Sequence, residues 1–146
     1  MAGWSIDMNK YTDSVKAKIK KVRVNYAFAL YSSIVKKTPV DTGRARANWN
    51  IAVGKDDTSV SDRTMKQGLK YKESSINPAG DESIFISNNL PYITTLEYGG
   101  YPNPPKSKSG KTVNGFSKKA PNGMVGITLA NKENIFKAAV RRAEKE

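Results

Sequence analysis

The sequence has no cysteine and no histidine among its 146 residues. Those two absences exclude disulfides, Cys/His zinc sites, cysteine nucleophiles and any triad built on an imidazole base. Most metal-hydrolase and acyl-transfer chemistries go with them. Also lacking is a run of about 18 apolar residues, so no membrane-spanning helix is expected. The opening residues, Met1-Ala2-Gly3-Trp4-Ser5-Ile6-Asp7, lack the apolar core of a signal peptide, which predicts a soluble product made in a cytoplasm. Large apolar residues are scarce: Ile, Leu, Val and Phe together number 29 of 146, close to the lower limit for a globular chain of high charge. Acids are scarce as well, 13 against 25 Lys and Arg, a net charge of +12.

What is present is unevenly spread. Residues 1–50 carry a net +7, residues 51–100 a net −2, and residues 101–146 a net +7. Between Gly54 and Glu82 only Val60, Leu69 and Ile76 belong to the Ile/Leu/Val/Phe set. Between Gly99 and Asn122 only Val113 and Phe116 do. The chain therefore reads as one domain spanning 1–146, a small core with two long polar loops at about 54–82 and 99–122. Loops of that length are uncommon in compact domains unless they are functional or disordered.

Tyr11, Val15, Ile19, Val22, Tyr26, Leu30 and Ile34 recur at steps of three and four, one apolar stripe on a helix from Asn9 or Tyr11 to Lys37. Asn9 or Thr12 is an acceptable cap, and Pro39 ends the helix by forcing Thr38 out of helical geometry. Such a rod, about 39 Å long, is long for this domain, so part of it is expected to project or to pack on another subunit. Pro39 to Arg44 reads as a turn, with Asp41 accepting backbone amides and Gly43 free to take positive φ. Ala47, Trp49, Ile51 and Val53 alternate in a strand over 45–53. Residues 83–87 predict a second strand, 91–98 a short helix or turn, and Met124 to Ala130 a third strand. Asn131 then caps a last helix with Ile135, Phe136, Ala139, Val140 and Ala143 on one side. The expected class is α+β, a long N-terminal helix on a small, mainly antiparallel sheet with a C-terminal helix.

Ser109-Gly110-Lys111-Thr112 looks like the end of a phosphate-binding loop. Pro105 stands where the pattern needs its first glycine, so a basic loop is the better reading. Asp56-Asp57 and Asp81-Glu82 fall in loops where solvation is their ordinary role. Glu97, beside aromatic residues, is expected to be partly buried and paired with Arg44 or Arg46. No second group converges on any of these carboxylates by spacing, so no enzyme activity and no cofactor is expected. Lys16, Lys20 and Arg23 share one helix face, with Lys18 and Lys21 on another. Like charges at i,i+4 repel slightly, which points to an acidic partner, DNA phosphate or a carboxylate-rich protein surface, or else to a solvated basic face. No sequence-specific nucleic-acid motif accompanies them.

Three segments in order resemble the neck and tail-completion proteins of tailed bacteriophages. Thr38-Pro39-Val40-Asp41-Thr42-Gly43-Arg44-Ala45-Arg46-Ala47-Asn48-Trp49 resembles that family's hallmark turn. The run Ser87-Asn88-Asn89-Leu90-Pro91-Tyr92-Ile93-Thr94-Thr95-Leu96-Glu97-Tyr98-Gly99 is similar to its second block, and Ala120 to Leu129 to its third. The resemblance covers residues 10–145 apart from the two polar loops. It implies a structural virion protein of the neck, assembled in the host cytoplasm, not an enzyme. It also implies a homo-oligomeric ring, sixfold or twelvefold, that joins the head connector to the tail. By the same likeness Asp41, Thr42, Gly43 and Arg44 fix the turn joining helix to sheet, and Tyr92, Glu97, Tyr98 and Gly99 form a second turn beside it. Implied partners are further copies of the chain, connector or stopper proteins, tail terminator or tube proteins, and DNA passing through the channel. Lys16, Lys20, Lys21 and Arg23 are the expected contacts to an acidic partner. The alternative is a basic accessory protein binding nucleic acid without sequence preference.

Overall fold

The computed structural model describes residues 3–40, 43–64, 69–105 and 110–145. Its first element is helix α1, Met8–Lys37. Thirty residues at 1.5 Å make a rod of about 45 Å. The cap is Asp7, ahead of the expected Asn9 or Thr12. Its carboxylate accepts the amides of Asn9 and Lys10 at 3.0 and 3.3 Å, at the end where the helix dipole favours an anion. The far end stops where Pro39 requires: Thr38 is extended, and its hydroxyl donates to the Ile34 carbonyl.

The apolar stripe along α1 meets three different surroundings. Met8 to Ile19 stand exposed. Further along, helix α5 (Lys132–Lys145) runs back beside α1, with Phe136 edge-on to Tyr26 at 5.2 Å and Asn25 donating to the Ala139 carbonyl. In the last turns the core-facing side chains are Tyr31, Ile34 and Val35, all nearly inaccessible, with Ala27 and Phe28 beside them. Only Ile34 belongs both to the stripe and to that buried face.

After residues 41–42, α2 (Arg44–Ala47) makes one helical turn, and β1 (Asn50–Val53) follows. The strand expected from Ala45 is therefore half helix, although Ala45, Ala47, Trp49 and Ile51 are all buried. Strand β2 (Ile84–Ser87) pairs antiparallel with β1, Ile51 opposite Ile86 and Ala52 opposite Phe85. Ile51, Val53, Ile84 and Ile86 face the core beneath α1. Helix α3 (Ile93–Tyr98) follows the turn at Pro91–Tyr92. The hairpin of β3 (Thr112–Val113) and β4 (Phe116–Ser117) lies within the second polar stretch.

Met124 to Ala130 is not a third strand. Val125–Ala130 is helix α4, and Asn131 separates it from α5, its carbonyl accepting the Ile135 amide. Val125, Ile127 and Leu129 would share one face of a strand, but in the helix Ile127 and Leu129 are 37% and 44% exposed. The fold is α+β: a long N-terminal helix, a two-stranded antiparallel sheet and a C-terminal helix.

Both polar stretches are tied to the body by a few apolar anchors. Ile76 and Pro78 are buried, Leu69 and Tyr71 pack on the core, and Ala120 closes the second stretch. Among the described residues no helix is long and apolar enough to cross a membrane.

Candidate functional site

The three sequence blocks, distant along the chain, meet around the C-terminal end of α1. Trp49 donates its indole N–H to the Thr38 hydroxyl at 2.8 Å, locking the second residue after α2 onto the residue after α1. Arg46 donates to the carbonyls of Thr38 and Lys36 at 2.8 and 2.9 Å. These are carbonyls at the end of a helix, and a cation there is favoured by the dipole. Desolvation lowers the Arg46 pKa from its ordinary value. Gly43 takes φ +83°, as a turn glycine should, while Asp41 and Thr42 lie outside the described residues. Arg44 donates to the Ser61 carbonyl and forms an ion pair with Asp62 at 3.3 Å, on the surface.

The second block joins the first through Asn88, whose amide donates to the Ala45 carbonyl at 3.0 Å while its oxygen accepts the Leu90 amide. Pro91 and Tyr92 follow in the turn, and Leu96 is buried on the core. Glu97 reaches the third block. Its carboxylate accepts the amides of Met124, Val125 and Gly126 at 2.9, 2.7 and 2.9 Å. The expected pairing with Arg44 or Arg46 is thus corrected: backbone donors opening α4 hold this charge, and charge-assisted bonds of that kind are strong. They also explain why 124–130 starts a helix. Gly123, at φ +77°, lies against Glu97 so closely that a Cβ would collide with the Glu97 carbonyl. Tyr98 is exposed, and Gly99, at φ +80°, packs under the Phe116 ring, where a Cβ would stand 3.1 Å from the ring carbons.

Two buried amides do work that the sequence reading missed. Asn48 donates to the carbonyls of Arg44 and Ser61 and accepts the Ser61 amide. Asn50 donates to the carbonyls of Asp57 and Ser59 and accepts from the Lys70 ammonium and the Tyr71 hydroxyl. Together they stitch the first polar stretch over the Asn50–Ser87 end of the outer sheet face and leave Ala52 and Phe85 beyond it partly open. The available signal was asparagine at two positions around Trp49 in a strand-like run, a residue strands disfavour. Asp57 is held below the usual carboxylate range by its hydrogen bonds to Ser59.

Beside this junction lies a cleft of about 550 Å³. Pro39, Tyr92, Leu96 and Tyr101 give it an apolar floor, and Arg44, Lys111, Lys118 and Lys119 line its rim. Such a surface can take an anionic group by charge and an apolar or aromatic group by contact. Among the described residues no carboxylate lines it, and none of their Asp or Glu form a group arranged to hold a metal ion.

The basic residues of α1 divide. Lys20 donates to the Asn77 side chain, and Arg23 donates to the carbonyls of Gly80 and Glu82. Two of the expected partner contacts are therefore occupied by the chain's own first polar stretch. Lys16 stands exposed a turn earlier, and Lys21, exposed on another side, also interacts within the chain. No family model, curated protein or solved structure matches this chain.

Proposed function

We propose that this chain is a structural protein of the phage neck, forming a ring that joins the DNA-filled head connector to the tail. The observation carrying the reading is the convergence of the three resembling blocks on one junction. Asn88 with Ala45 and Glu97 with the amides of 124–126 are contacts between blocks, and Trp49 with Thr38 closes the first block on itself. The side chains of this junction are spent on backbone carbonyls and amides of the same chain and hold its elements in place, which supports a structural role. In this reading the ring is sixfold or twelvefold and sits in the virion between connector or stopper and tail terminator or tube. The two polar stretches, 54–82 and 99–122, meet neighbouring subunits or rings.

Imaging of particles made without the protein tests the proposal. Full heads and finished tails that remain unjoined support it; joined particles, or heads without DNA, count against it. Charge reversal is cleanest at Lys16, because Lys20 and Arg23 hold residues 77–82 within the chain. A second reading, non-specific nucleic-acid binding, is favoured by the cationic rim of the cleft. Its mark is DNA binding by the purified chain that weakens steeply with salt.

A further inference from the structure

We infer that the projecting half of α1 docks, head to tail, on the outer sheet face of a second copy of this chain. The inference rests on the ring reading and names the surfaces that would close the ring. Met8, Tyr11, Val15 and Ile19 are 62%, 59%, 40% and 53% exposed. At 100° per residue they fall within an arc of about 80°, one side of the helix. This line continues into Tyr26, where α5 covers it through Phe136, so the uncovered part extends a seam that already packs helix on helix. Soluble chains rarely leave an apolar line of this length open.

Charge selects the occupant. The exposed turns carry Lys10, Lys16 and Lys18 against Asp13, so two such rods laid together would place like charges side by side. The one third of the chain with net negative charge is 51–100. There Phe85, 37% exposed, stands opposite half-buried Ala52 on the sheet face turned away from the core. Asp56 and Asp81 are exposed near one end of that face, where the Gly54 amide donates to the Ser83 carbonyl. An apolar line with basic flanks thus meets, on the same chain, an open apolar patch at Ala52 and Phe85 with Asp56 and Asp81 beyond it, while the Lys70 ammonium sits on Asn50 at the other end of the face. Contact between two different surfaces of identical subunits is heterologous and closes into a ring when the rotation allows.

Sedimentation velocity of the full chain over a concentration series tests this. The wild type should assemble. Ile19→Glu should weaken assembly about tenfold to hundredfold, the worth of one apolar anchor. The pair Asp56→Lys with Asp81→Lys should weaken it as well, and unchanged circular dichroism would show that both variants fold. Mixed one to one, the two variants should form a dimer and stop there, since each retains one working surface. A wild type that stays monomeric overturns the inference, as does assembly indifferent to the aspartate pair. So does a mixture that forms no dimer. Binding of the monomer to phosphatidylglycerol vesicles would assign the stripe to a lipid surface instead. Neck rings that persist in particles carrying the aspartate pair would remove this surface and leave the neck reading standing. Joined particles in the deletion, with self-association intact, would do the reverse.

Discussion

The two halves of α1 share one helix and one apolar stripe, and they live in different surroundings. Among the described residues nothing buries residues 8–19, whereas from Lys20 onward the helix is held on several sides. Residues 77–82 take Lys20 and Arg23, α5 covers Asn25 and Tyr26, and the sheet and Trp49 close over Tyr31, Ile34 and Val35. Periodicity reports that a helix has an apolar side. It does not report whether the cover for that side is supplied by the same chain. The net +12 charge sharpens the contrast, because in the held half Lys20 and Arg23 bond to residues 77–82 of the same chain while Lys10, Lys16 and Lys18 in the free half are exposed.

The largest effect that could break this comparison is at Trp49. It is buried beneath the end of α1, and its indole hydrogen bond holds Thr38. Trp49→Ala should cost about 3–5 kcal/mol in urea unfolding, as a large cavity in a core does. Val15→Ala in the free half should change monomer stability by less than about 0.5 kcal/mol. A loss at Val15 approaching that at Trp49 would mean that the free half is already covered in the monomer.

A smaller effect is expected where the first polar stretch is stitched down. Asn50→Ala removes the acceptor for Lys70 and Tyr71 and the donor to two carbonyls, in a place water does not reach. The cost should be about 1–3 kcal/mol. Hydrogen exchange should quicken at Ser59 and Ser61 while the amides of α1 beyond Tyr26 keep their protection. If protection falls equally throughout, the stretch is part of the cooperative core and not a flap fastened to it.

These residues also show where sequence was sufficient. Pro39 ended α1 at the expected place because a proline acts locally, through the residue before it. The N-cap lies two residues before Asn9 and five before Thr12, because Asp7, Asn9 and Thr12 are all competent caps. Met124 to Ala130 was misread for a different reason. Its alternation favours a strand, but the Glu97 carboxylate, 27 residues earlier, gathers its first amides into a helical turn. Glu97 was correctly expected to be paired, yet its partners are backbone amides that have no letter in the sequence. Arg46 was misassigned by the same blindness, since its partners are helix-end carbonyls. Side chain to side chain pairing is guessable from residue types; side chain to backbone pairing depends on the fold.

The smallest expected effect concerns alkaline pH and again separates the held half from the free one. Burial pushes the phenols of Tyr31 and Tyr71 above the ordinary tyrosine value. Their rings stack edge-on at 5.8 Å beneath the first polar stretch. In the unfolded chain these groups lose their protons near pH 10, so above that point the native state binds more protons than the unfolded one. Stability from this source is complete below about pH 10 and declines as pH rises through the native values. Ionised Tyr71 also ceases to donate to Asn50, which loosens the stitch described above. Thermal melts from pH 8 to pH 11 should therefore be steeper at the alkaline end in the wild type than in a Tyr31→Phe, Tyr71→Phe double variant. Tyr71→Phe alone should lower the melting temperature at neutral pH, through the lost hydrogen bond, and still flatten the alkaline limb. Equal alkaline slopes in wild type and double variant would place the loss on other groups and leave these two phenols without a part in it.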